Sequence, residues 1–235
     1  MSVSTARGAP PPLARIVTIL RRHYGEPPAP PSRDPFELVV WENVAYMADD
    51  KRRAKAFEML RERVGLRPQD IAAAPITALR AVAAHGIVPD RFARKLRDAA
   101  LLTIDHFDGD LRRALVLPQK EAMKALRLYP GIGEPSAEKI LLFTHTRPVL
   151  GLDSNGLRVL RRVGYGHEKR NYAATYASVR EAIAPGLPRR FDTLIAAHQL
   201  LRHLGKDLCK VSAPRCGLCP LAPHCAHARG LPRSS

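Results

Sequence analysis

The chain has four cysteines, Cys209, Cys216, Cys219 and Cys225, all within CKVSAPRCGLCPLAPHC and spaced C-x6-C-x2-C-x5-C. Four thiolates crowded into a short irregular loop suit a tetrahedral zinc or a cubane [4Fe-4S] cluster, since both accept four cysteine sulfurs. Zinc sites more often pair two short knuckles across a longer gap. Here only Cys216 and Cys219 form a knuckle, and that asymmetry favours the cluster. In a reducing compartment the crowding points to metal ligation over disulfides.

Three further stretches carry side chains or backbone able to do chemistry. In YPGIGEPSAEKI, Gly131 and Gly133 are expected to take backbone angles that a side chain forbids and to leave amides uncovered ahead of a helix. Unpaired N–H groups and the helix dipole there both attract a phosphate oxygen, which makes Pro130, Gly131, Ile132, Gly133, Ser136 and Lys139 candidate DNA contacts. Pro135 suits the first turn of that helix, where its missing N–H costs nothing. Lys139 lies four residues on, one turn deeper. In GLDSNGLRVLRR, Asp153 precedes a helical pattern and makes a good N-cap, while Arg158, Arg161 and Arg162 read as facing solvent or phosphate. In FELVVWENVAYMADD, Glu42 sits amid Val39, Val40, Trp41 and Val44. Desolvation is expected to raise its pKa, which suits proton donation; the other reading is a helix-face glutamate paired with an arginine.

The elements that must position these residues read as helices throughout, and the fold class is all-α. Leu13, Ile16, Val17, Leu20 and Tyr24 repeat at helical spacing before Gly25. Asp34 can cap a helix with Pro35 at its first position, and further helices are expected near 50–64, 75–84, 89–107, 119–128, 136–145, 154–163, 169–184 and 189–204, the last closed by Gly205. Residues 1–12, small and Pro-rich, read as a disordered lead, EPPAPPSRDP as a stiff linker, and 226–235 as a tail. With 38 Lys plus Arg against 22 Asp plus Glu, the net charge of +16 favours a polyanionic partner. No apolar run approaches the roughly 20 residues needed to span a bilayer, and the expected setting is cytoplasmic.

The cysteine spacing together with the glycine turn resembles the endonuclease III family of helix-hairpin-helix DNA glycosylases, from about Leu13 to Cys225, with the cysteine spacing as the most specific part. The resemblance implies a six-helix barrel module over 34–147 that carries the hairpin. It also implies a second helical module, built from 13–33 and 148–225, that carries a [4Fe-4S] cluster, with double-stranded DNA held across a cleft between the two. The segment around Asp153 is closest to mismatch adenine glycosylases, which share a Leu-Asp-x-Asn-x-x-Arg-Val pattern. There the carboxylate would stabilise a sugar cation and position water, and Asn155 would orient it. Glu42 falls where those enzymes hold a general acid and where endonuclease III has an apolar residue. Tyr46 and Met47 fall where relatives place a polar wedge or pocket residue, and could line a base pocket or fill the gap left by an extruded nucleotide.

Pro135 stands where strand-nicking relatives carry a Schiff-base lysine. The implied activity is therefore a monofunctional glycosylase, acting as a monomer on DNA that contains a damaged or mispaired base and associated with the nucleoid in a bacterium. The alternatives are a bifunctional glycosylase/lyase using Lys139 and a non-catalytic iron-sulfur DNA-binding protein. Lys210 and Arg215 would present positive charge to phosphates while the iron stays structural. The chain stops ten residues after Cys225, so it is expected to lack the further domain with which adenine glycosylases recognise an oxidised guanine opposite.

Overall fold

The Asp34 carboxylate accepts hydrogen bonds from the amides of Phe36 (2.9 Å) and Glu37 (3.1 Å), and with Pro35 it starts helix α2, Pro35–Asn43. Phe36, Leu38, Val39, Val40 and Asn43 of this helix are all buried, so it serves as a core element and not as a surface stripe. The structure is a computed structural model that describes residues 9–230. Among the described residues every regular element is helical.

Contacts divide the chain into two units, Pro30–Gly151 and the remainder. In the first, α2 is followed by α3 (Asp50–Arg63), α4 (Pro68–Ala73), α5 (Ile76–Ala83), α6 (Pro89–Phe107), α7 (Arg112–Leu115), α8 (Gln119–Leu126) and α9 (Glu134–Phe143). Six of these have eight or more residues, and α4 and α7 are short additions. The long α6 buries Phe92, Ala93, Leu96, Ala99, Ala100 and Thr103, and takes α2, α4 and α5 against it. Helix α9 starts two residues before the 136–145 span read from the sequence, because Gly133 is its extended N-cap and Pro135 its second residue.

The second unit joins α1 (Leu13–Tyr24) to α10 (Ser154–Val163), α11 (Tyr172–Ile183), α12 (Phe191–Asp207) and α13 (Ala226–Arg229). Helix α12 packs on both α1 and α10. Gly205 does not end α12, which continues to Asp207; a Cβ there would lie 2.6 Å from the Cβ of Asn155. Its lack of a side chain thus sets how closely α10 and α12 approach.

The expected disordered lead is corrected in part. Pro11 is buried, and its carbonyl accepts a hydrogen bond from the Tyr165 hydroxyl (2.8 Å). Residues 1–8 of that lead lie outside the described residues. The tail expected from 226 begins as α13, packed on α10, and its residues 231–235 lie outside the described residues as well.

Candidate functional site

The glycine turn is clamped from α2. Asn43, buried and missed by the sequence reading, donates from Nδ2 to the Pro130 carbonyl (2.9 Å) and to the Val39 carbonyl (3.0 Å). Gly131 lies at φ +79°, and a Cβ on it would come within 2.9 Å of Asn43 Oδ1, so this position needs glycine twice over. Tyr129 ties the start of the turn to α6 through a hydroxyl pair with Thr103 (2.9 Å), and burial pushes its pKa up to about 12.

Two expectations for this turn change. Gly133 has φ −91°, which any residue adopts, and a Cβ would meet only Pro135 Cδ at 3.8 Å, so nothing inside the protein requires glycine there. Ile132 is buried and its amide donates to the Tyr129 carbonyl (3.1 Å), which makes it an anchor and not an anion contact. Gly131 and Gly133 remain exposed, with Pro130, Pro135 and Ser136 partly so.

Helices α2 and α9 bring Glu42 against Lys139. The Lys139 ammonium donates to Glu42 Oε1 (2.6 Å) and the Ser136 hydroxyl donates to Oε2 (3.1 Å), with the charged side chains only 14% and 15% exposed. Burial does push the Glu42 pKa up, as expected from its apolar neighbours. The Lys139 charge and hydrogen bond, the charge of Arg53 and the Ser136 hydrogen bond together outweigh it, and the net position is below the ordinary glutamate value. The expectation of a protonated acid is thereby corrected: Glu42 is a carboxylate at neutral pH. The expected arginine partner is a lysine.

In the second unit Asp153 caps α10, its Oδ1 accepting from the Gly156 amide (2.8 Å). Its Oδ2 accepts from Asn155 Nδ2 (3.2 Å) and pairs with Arg202 Nε (3.3 Å). Asn155 Oδ1 in turn accepts from Arg158 Nη2 (2.9 Å). Arg202 was not singled out from the sequence, and neither was Tyr172, a half-exposed phenol that feels the Asp153 charge. Burial and then that charge raise its pKa. Tyr172 stacks on Tyr176, whose hydroxyl accepts from the Leu152 amide (3.2 Å).

Arg158 and Arg162 do not face solvent or phosphate as expected. Arg158 donates to the carbonyls of Cys209 (2.8 Å) and Gly205 (2.8 Å), and Arg162 to those of Lys210 (2.6 Å) and Val211 (2.9 Å). Arg161 pairs with Glu168 (2.8 Å). The first two arginines hold the cysteine loop to α10. Within the loop Arg162 Nη1 donates to Cys209 Sγ (3.4 Å) and Cys225 Sγ donates to the Arg162 carbonyl (3.2 Å). Burial raises the Cys219 thiol to about 11, and the charges of Cys209, Cys225 and Cys216 push the same way. Among the described residues no group of three or more His, Cys, Asp or Glu side chains is assembled as a metal site. Lys210 and Arg215 are exposed on this loop.

Tyr46 (43% exposed) and Met47 (72%) project from the loop after α2, where Tyr46 stacks on Phe92 at 4.5 Å. The Ile87 amide donates to the Tyr46 carbonyl (3.0 Å), which sets exposed Ile87 and Val88 beside them. Met47 (φ 56°) and Val88 (φ 54°) are both left-handed, a conformation costing of order 1–3 kcal/mol for residues with side chains. The sequence reading missed Ile87 and Val88; an apolar pair at a helix start just before Pro89 was the available signal.

No family model matches the chain. It is 24% identical to endonuclease III of Bacillus subtilis (strain 168) over 193 residues, covering 82% of this chain and 81% of that protein. It is 32% identical to the adenine DNA glycosylase of Mycolicibacterium smegmatis over 158 residues, 66% of this chain, and spans about half of that relative's length (47%). Its fold matches the structure of a trapped endonuclease III-DNA covalent intermediate in an estranged-adenine complex, with a TM-score of 0.72 at 21% identity over 92% of this chain and 97% of the other. No helix among the described residues is long and apolar enough to cross a membrane. The chain thus shares the all-helical fold of endonuclease III and is similar in sequence both to an endonuclease III and to an adenine DNA glycosylase.

Proposed function

We propose that the protein is a monofunctional DNA glycosylase of base excision repair, acting in the cytoplasm as a monomer on double-stranded DNA with a damaged or mispaired base. The base is turned out of the stack and its N-glycosidic bond hydrolysed, with Asp153 stabilising the cationic sugar and Asn155 orienting it. The observation that carries the monofunctional part is the absence of an available amine on α9: Pro135 has none, and Lys139 is engaged as an ammonium with Glu42. Tyr46 and Met47, with Ile87 beside them, are suited to fill the gap left by the extruded nucleotide. The test is a panel of duplexes, each with one lesion or mismatch, assayed with and without alkali. Strands are expected to break only after alkali, with no covalent complex trapped by borohydride. Unaided cleavage with borohydride trapping would overturn this reading and make Lys139 the first residue to mutate.

The four cysteines fit a [4Fe-4S] cluster by donor chemistry, since all four are free thiols on one loop with an N–H···S contact from Arg162. Cys209, Cys216, Cys219 and Cys225 would hold it. When bound it would order the loop that carries Lys210 and Arg215.

The exposed Gly131 and Gly133, just ahead of the N-terminus of α9, support a phosphate contact. Wild-type affinity for DNA should fall with salt at a logarithmic slope of about −0.9 per phosphate neutralised. Gly133→Asp has room to fold, yet sets a carboxylate where a phosphate approaches. We expect affinity to drop by about tenfold or more and the slope to shallow by roughly 1. Unchanged affinity in a titration at fixed salt would remove the turn from the interface.

A further inference from the structure

Both carboxylate oxygens of Glu42 are occupied, one by an ammonium and one by a hydroxyl, on a face of α2 and α9 that keeps some exposure. A carboxylate so held has no proton to give, and the Ser136 proton is committed to it. Lys139 has donors to spare, because an ammonium carries three N–H and Glu42 takes one of them. Arg53 adds a second positive charge near Glu42. This is an arrangement for steadying a developing negative charge, not for protonating a base.

That distinction separates leaving groups. Adenine departs readily only when a ring nitrogen is protonated, and an ammonium is far too weak an acid to do so. Uracil and thymine can depart as the N1 anion, whose charge is shared with the imide oxygens, and a cationic donor at O2 is sufficient help. We propose that Lys139, positioned by Glu42 and Ser136, hydrogen-bonds O2 of the departing base and so directs this enzyme to uracil or thymine in place of adenine. The proposal rests on the glycosylase reading above. In the step, the C1′–N1 bond breaks with its electron pair passing to the base. Lys139 keeps its protons while donating to O2. Water then adds to C1′, and the proton it releases ends on the base.

The experiment is single-turnover excision from four matched duplexes, carrying uracil, 5-fluorouracil or thymine opposite guanine, or adenine opposite guanine. Wild-type protein should release uracil or thymine at least about 100-fold faster than adenine. Lys139→Met should slow uracil release by about 10²- to 10³-fold, the loss typical of one oxyanion donor. Because 5-fluorouracil is a better leaving group, its release should fall several-fold less, and Lys139→Arg should recover part of both rates. Should Lys139→Met fail to fold with Glu42 left unpaired, the Glu42→Gln/Lys139→Met double variant removes both charges and carries the same expectation. Adenine released fastest by the wild type, or uracil and 5-fluorouracil slowed equally by the variant, would overturn the role of Lys139 and leave the glycosylase reading standing. Release of no base from any duplex in this set or in the wider lesion panel would bring down the glycosylase reading itself.

Discussion

Replacing Asp153 with asparagine is expected to leave binding to lesion-containing duplex within a few-fold of wild type while cutting excision by roughly 10²- to 10³-fold or more. The reason lies in how the carboxylate is held. Its Oδ1 caps α10 through the Gly156 amide, a bond that the asparagine oxygen can keep. Its Oδ2 accepts from Asn155 and pairs with Arg202, and there an amide NH2 would set donor against donor. Some stability is lost for that reason, of order 1 kcal/mol for a partly exposed group. Asp153→Ser separates the two effects, since serine caps a helix about as well and makes no such clash. If both variants excise at the wild-type rate in single-turnover assays, the carboxylate is a helix cap and nothing more. If both lose excision while melting within a few degrees of wild type, the charge is what the reaction needs.

The second large effect concerns the cysteine loop. Protein purified without air is expected to be brown, with broad visible absorbance and about four irons and four sulfides per chain. Cys216→Ser should lose most of that iron and weaken DNA binding more than it slows the chemical step on bound substrate. The physical basis is the arginine bracing. Arg158 and Arg162 reach four carbonyls between Gly205 and Val211, and Arg158 also touches Asn155, which contacts Asp153. Loss of order in the loop removes the exposed Lys210 and Arg215 from their positions first, and disturbs Asp153 only through two intervening side chains. A colourless protein holding one zinc would overturn the cluster, and a Cys216→Ser variant with unchanged iron content would remove that residue from its ligands.

What was legible in the sequence was what is local along the chain. Helical spacing located α1 at Leu13–Tyr24, α6 at Pro89–Phe107 and α10 at Ser154–Val163, because amphipathic period, caps such as Asp34 and Asp153, and Pro at a first turn act within a few residues. The crowding of four thiols was legible for the same reason. Gly205 was misread because a glycine near a helix end looks alike whether it stops the helix or lets another cross it, and only the neighbour Asn155 separates the two.

The sequence by itself determined an all-helical chain, a glycine turn ahead of α9, and where the carboxylates and thiols stand along it. Tertiary structure alone decided their electrical state and their partners. Asn43 meets Pro130 across 87 positions and Glu42 meets Lys139 across 97, and no periodicity of the chain encodes such pairings. Apolar neighbours told correctly that Glu42 would be buried, yet burial raises a carboxyl pKa only while no cation stands beside it. One ammonium at 2.6 Å reverses the sign, because desolvation acts on a group alone whereas Coulomb attraction needs a second charge whose distance only the fold supplies.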